Sequence, residues 1–84
     1  MTLKQKLFQE YRVNYRVWFE MDWKERNEKL DIGESVALAH AKSEISAKLN
    51  LISEVLGKKD REILTEIASE EICKVYEEKS NGAA

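Results

Sequence analysis

The sequence predicts an all-α domain in which a long, aromatic-rich N-terminal helix packs on an antiparallel helical hairpin. Two observations support this fold class. Among 84 residues there is no Pro, and the three glycines, at positions 33, 57 and 82, divide the chain into long uninterrupted pieces. Each piece repeats apolar residues at a spacing of three or four. We expect one domain over residues 1–79, with helices at about 2–30, 35–56 and 60–79, and a disordered tail at 80–84.

The first helix begins with a capping box, in which Thr2 is the N-cap and Gln5 stands three residues later. Its core-facing stripe consists of Leu3, Leu7, Tyr11, Tyr15 and Trp18, widened by Phe8 and Phe19. Residues 11–23 also alternate between apolar and polar side chains, which is typical of a β-strand, and such a strand would need a second chain as its partner. Acid-before-base pairs at i,i+4, such as Asp22 with Arg26, favour the helix.

The second and third helices carry one apolar stripe each. In the second helix the stripe is Leu38, Ala41, Ile45, Leu49, Ile52 and Leu56, and in the third it is Ile63, Leu64, Ile67, Ala68, Ile72 and Val75. We expect a break at Gly33, an N-cap at Asp31 or Ser35, and an N-cap at Asp60. The short link at Gly57 predicts an antiparallel hairpin, and Glu71 is expected at the edge of its apolar stripe.

Aromatic residues concentrate in the first helix, which holds six of the seven in the chain. At 1.5 Å per residue this helix is about 43 Å long and the other two are about 30 Å, so about 13 Å of it should overhang the hairpin. An exposed apolar overhang favours a partner, and Trp and Arg dominate binding hot spots. We therefore expect a protein-binding surface, most simply that of a homodimer, formed by Arg12, Val13, Arg16, Val17, Trp18, Met21 and Trp23.

Residues 44–61 suggest an alternative function. The segment from Glu44 to Leu51 resembles the first helix and turn of bacterial helix-turn-helix domains. This resemblance implies a DNA-binding transcriptional regulator in which Lys58, Lys59 and Arg61 face phosphates. One uninterrupted helix from 35 to 56 is the competing interpretation.

Glutamates suggest a second, weaker resemblance, to the acidic pattern of all-α nucleotide pyrophosphohydrolases, which hold magnesium with carboxylates from two helices. The residues concerned are Glu25, Glu28, Glu62, Glu66, Glu70 and Glu71. Lys24, Arg26 and Lys29 interleave the first pair, which is also typical of a solvated, salt-bridged helix face.

Composition argues against catalysis. The single His40 has no metal-ligand spacing around it, and the single Cys73 has no catalytic partner in its own helix. The net charge is −2, and no stretch approaches the roughly 18 apolar residues of a membrane span. We expect a small acidic cytoplasmic protein, regulatory or adaptor in function, with no cofactor, no small-molecule substrate and no membrane association.

Overall fold

Three helices of 25 residues each account for nearly all of residues 1–82, the part of the chain that the computed structural model describes: α1 (Leu3–Asn27), α2 (Ile32–Leu56) and α3 (Lys58–Gly82). The predicted all-α, three-helix fold is confirmed. Each helix is about 38 Å long. The predicted overhang of the first helix is therefore wrong, because α1 ends earlier than expected and the other two helices are longer.

Residues 11–23 are helical, so the β-strand alternative does not hold. The capping box of α1 is confirmed: the Thr2 hydroxyl accepts from the Gln5 backbone N–H at 3.2 Å, and the Gln5 side chain accepts from the Thr2 backbone N–H at 2.9 Å. The helix ends at Asn27 because Glu28 has extended backbone angles, φ −118° and ψ 149°.

Asp31 is the N-cap of α2, as predicted, and its carboxylate accepts from the Glu34 backbone N–H at 2.7 Å. This cap starts the helix at Ile32, so Gly33 lies in the first turn and the expected break there is absent. The helix continues without interruption to Leu56. The turn that a helix-turn-helix would need within residues 44–56 is therefore not formed, and the uninterrupted-helix interpretation is correct.

Gly57 alone connects α2 to α3. Its φ of 83° lies in the region that glycine adopts readily and that costs other residues energy. Its carbonyl accepts from the Arg61 N–H at 3.2 Å, which starts α3 at Lys58. The predicted N-cap Asp60 is consequently inside the first turn, where it forms an ion pair with Lys4 at 3.3 Å.

The C-terminal end of α3 also extends further than predicted. Residues 80–82 continue the helix to Gly82, although they were expected to be disordered. Each added helical residue gains one backbone hydrogen bond once a helix is established, and no Pro interrupts this one. Residues 83 and 84, the rest of the predicted tail, lie outside the described residues.

Two ion pairs show the relative directions of α1 and α3. Lys4 contacts Asp60 near the beginnings of α1 and α3, and Arg16 contacts Glu78 near their later parts, so these two helices run parallel. The short links place α2 antiparallel to both. Helix α1 packs against both neighbours, whereas α2 and α3 contact each other least. The hairpin is therefore open, and α1 is the central helix.

The hydrophobic core is thin. Its buried apolar side chains among the described residues are Phe19, Leu49, Leu64, Ile67 and Val75. The radius of gyration is 14.3 Å, against about 12 Å for a compact chain of 84 residues. Most of the predicted stripe residues of α2 and α3 face this core, and Ile63 is an exception at 41% exposed. The open arrangement leaves much apolar surface in contact with solvent.

Three titratable groups at the helix contacts predict a loss of stability at high pH. Burial raises the pKa of Tyr11 and of Tyr15, whose rings stack at 5.9 Å. Partial burial by itself lowers the pKa of Lys42, but hydrogen bonds to Asp22 and Glu25 raise it overall.

Because all three folded-state pKa values exceed the unfolded values, their contribution to stability is present below about pH 10 and is lost as the pH rises through the folded values. We expect the urea midpoint to fall above about pH 10, in step with tyrosinate absorbance. A midpoint that stays constant or increases over that range would contradict this assignment.

Candidate functional site

The two arginines of the predicted binding surface contact α3 of their own chain. Arg12 donates to Glu70 at 2.9 Å and to Glu71 at 3.0 Å. Arg16 donates to Glu20 of its own helix at 3.2 Å and to Glu78 of α3. Hydrogen bonds to Glu70 and then Glu71 raise the pKa of Arg12, and those to Glu78 and then Glu20 raise the pKa of Arg16. Both guanidinium groups thus attach α1 to α3.

The two tryptophans are also occupied within the chain. Trp18 packs against Tyr15 with ring centroids 5.9 Å apart, and the Lys42 ammonium of α2 lies 5.1 Å from the Trp18 ring. Trp23 meets Tyr76 of α3 edge to face at 4.9 Å. Both indoles are partly buried between helices, where they help to hold the three helices together.

Val13, Val17 and Met21 form the outer face of α1. Val13 is 52% exposed, Val17 is 39% exposed and Met21 is partly buried. Exposed Glu20 and Lys24 lie on the same side of the helix, so the apolar stripe is narrow. Of the seven residues expected to bind a partner, Val13 and Val17 are exposed, whereas Met21 is partly buried beside Leu38 of α2.

Glu71 is the buried charged side chain of the described residues, with 3% of its surface exposed. The expectation that it lies at an edge is wrong, because the α1–α3 contact covers it. Its carboxylate is 3.0 Å from Arg12 and 3.1 Å from Lys74, so two cations offset the cost of its burial. This cluster connects α1 and α3 through charge-assisted hydrogen bonds.

The acidic residues that resembled a magnesium site are dispersed or paired with cations. Glu70 and Glu71 bind Arg12, and Glu25 lies 3.4 Å from Lys42. Over residues 1–82, no three His, Cys, Asp or Glu side chains come together in a group suited to a metal ion.

Four large aliphatic side chains of α2 are well exposed, and they are not among the binding residues predicted from the sequence. Ile32 is 85% exposed, Val36 is 64% exposed, and Leu51 and Val55 are each 62% exposed. Ala39 and Ala47 are exposed between them. At about 100° per residue these six side chains share less than half of the helix circumference, opposite the core-facing stripe. We call them the outer face of α2.

A signal for this face was present in the sequence. The core stripe of α2 accounts for Leu38, Leu49 and Leu56 but leaves Val36, Leu51 and Val55 unassigned. A helix that is apolar on two opposite sides is typical of one that is covered on both. Within residues 1–82, α1 and to a lesser extent α3 cover only the inner side.

The exposed area of the whole chain is larger than that of a compact monomer. A compact monomer of 9.8 kDa exposes about 5,200 Å², whereas this chain exposes 6082 Å². The excess of about 900 Å² is close to the roughly 800 Å² that one partner buries in a standard protein–protein interface.

The basic residues of the DNA-binding alternative lie in the first turn of α3. Lys58, Lys59 and Arg61 are all exposed directly after Gly57. A helix-turn-helix would need its turn before Leu56, but α2 continues without a break to that residue. The three basic residues therefore follow the Gly57 link and start α3, and they do not lie in a recognition helix of that motif.

No protein-family model, no curated protein and no solved structure matches this chain. In the described residues, no helix is both long and apolar enough to span a membrane.

Proposed function

We propose that the protein is a small, non-catalytic regulatory or adaptor protein that acts by protein–protein association and forms a homodimer through the outer face of α2. The observation that carries this proposal is the exposure of four large aliphatic side chains on one side of a single helix. Exposed apolar patches of this kind mark interaction surfaces.

Two copies that each bury the excess area would form an interface of about 1,800 Å², which is within the standard range for stable complexes. Interfaces of that size have dissociation constants from micromolar to picomolar, depending on the quality of their packing. Closed two-fold dimers are also the commonest soluble oligomers. These considerations support self-association as the use of this surface.

The placement of the reactive side chains supports a non-catalytic role. His40 is exposed on α2 with its imidazole 3.6 Å from Glu44, and Cys73 is exposed on α3; covalent catalysis needs a nucleophile and a base in hydrogen-bond contact. The buried carboxylate of Glu71 is held by two cations. DNA binding by residues 58–61 stays a separate prediction.

The test is the solution mass of the chain, measured by light scattering over a wide range of concentrations. We expect twice the 9.8 kDa chain mass at high concentration, decreasing on dilution. A mass of one chain at every concentration would refute the homodimer.

A further inference from the structure

We infer that the two copies pair α2 against α2 in antiparallel orientation, with the two-fold axis passing beside the peptide bond between Ser43 and Glu44. This inference rests on the proposed function and adds the partner's orientation and register. It follows from the order of side chains along the outer face of α2, from the charges at the ends of that helix, and from the area left exposed.

The outer face of α2 is symmetric about its middle. Val36 and Leu51 are equally distant from the Ser43–Glu44 peptide bond, and so are Ile32 and Val55. In a two-fold interface the contact of residue i with residue j is repeated as the contact of j with i. Antiparallel pairing at this register therefore places Val36 of one copy beside Leu51 of the other, twice in each dimer.

The centre of the face is suited to close approach. Ala39, Ser43 and Ala47 follow one another at i,i+4 spacing near the middle of the face, and all three are exposed. At this register they lie opposite Lys48, Glu44 and His40 of the other copy, respectively. Small side chains at a crossing point allow the helix axes to approach, so that the larger side chains on either side interdigitate along their i±4 rows. Large aliphatic residues flank this small centre in both directions.

Charges favour the antiparallel over the parallel arrangement. Glu54, near the C-terminal end of α2, is as far from the axis as Gly33 in the first turn. Antiparallel pairing brings the Glu54 carboxylate to the N-terminal end of the partner's α2, where the helix dipole favours a negative charge and where the Asp31 and Glu34 carboxylates of that helix also lie. Parallel pairing in register would instead place Lys48 and Glu54 each beside its own copy, whereas Glu44 lies near its own copy in either arrangement.

Glu44 is the charged group nearest the axis. Its two copies lie on the same edge of the antiparallel pair. Within each chain the Glu44 carboxylate is 3.6 Å from the His40 imidazole. Both side chains are well exposed in the single chain, and at about 100° per residue both lie on the arc that the outer face of α2 occupies.

The test uses disulfide formation between copies in a Cys73→Ser background, because Cys73 is exposed on α3 and would otherwise react. Val36→Cys and Leu51→Cys are prepared separately, then mixed, allowed to exchange subunits and oxidised. We expect most of the mixed protein to become a covalent heterodimer, and each variant alone to give little covalent product. Val13→Cys on the exposed outer face of α1 is the matched control, and it should not cross-link.

Efficient cross-linking of each variant with itself would show parallel pairing and overturn the inference. A dimer by mass whose mixed variants fail to cross-link would also overturn the register, while self-association itself would survive. A chain that is monomeric by mass would refute both. Circular dichroism of each variant verifies that the helices are retained.

Discussion

Leu51→Glu is expected to convert the dimer into a monomer while leaving the helical fold intact. Leu51 is well exposed in the single chain, so a glutamate there is hydrated and costs the fold little. In the dimer the same side chain would be covered, and an unpaired carboxylate at a covered site costs several kcal/mol. Because the change occurs twice in each dimer, the dissociation constant should increase by at least about a thousandfold.

Val17→Glu is the matched control for this prediction. It introduces the same charge at a partly exposed valine on the outer face of α1. Val17 belongs to the surface that the sequence predicts to bind a partner. The mass of this variant should equal that of the wild-type dimer. If Val17→Glu dissociates the dimer and Leu51→Glu does not, the interface lies on α1, as the sequence predicted.

Arg12→Met is expected to cause the largest loss of folding stability. It removes the closest cation from the Glu71 carboxylate and leaves only Lys74, on the same helix, as its partner. A buried carboxylate that loses its main partner keeps most of its desolvation cost, so we expect a loss of about 2–4 kcal/mol in the free energy of unfolding. For a domain of this size the melting temperature should decrease by about 10 °C or more.

Two further variants make this prediction specific. Glu71→Met in the Arg12→Met background removes the unpaired charge and should restore part of the lost stability, since apolar residues often replace buried ion pairs without cost. Arg16→Met removes ion pairs to two exposed carboxylates, Glu20 and Glu78, and should change the stability little. All variants are compared by urea denaturation at one fixed protein concentration, because dimerisation itself adds stability. Equal losses for Arg12→Met and Arg16→Met would contradict the special position of Glu71.

Local rules were sufficient for much of the fold. The capping box of Thr2 and Gln5 and the N-cap of Asp31 depend on residues three positions apart, and both are confirmed. The predicted start of α3 is wrong because Gly57 both ends α2 and accepts the first hydrogen bond of α3, from the Arg61 N–H. Asp60 is then not needed as the N-cap and pairs with Lys4. That pairing joins residues far apart in the chain, and local sequence patterns contain no information on it.

The same limit explains the outcome at the candidate site. The sequence predicts that Arg12 and Arg16 bind a partner. Their neighbours in the sequence do not indicate that carboxylates of α3, about 60 positions away in the chain, bind them instead. The outer face of α2 was missed for another reason. Its aliphatic residues are individually ordinary, and a surface became apparent only once the helix was known to be continuous and covered on one side.

A self-complementary interface on the outer face of α2 would bring specific methyl groups of the two copies together. Isotope-filtered nuclear Overhauser spectroscopy on wild-type protein mixed from labelled and unlabelled chains detects such contacts, because only contacts between different copies give signals in that sample. We expect contacts between the Val36 methyl groups of one copy and the Leu51 methyl groups of the other. Contacts between copies that involve only Val13, Val17 and Met21, or no such contacts at all, would contradict this expectation.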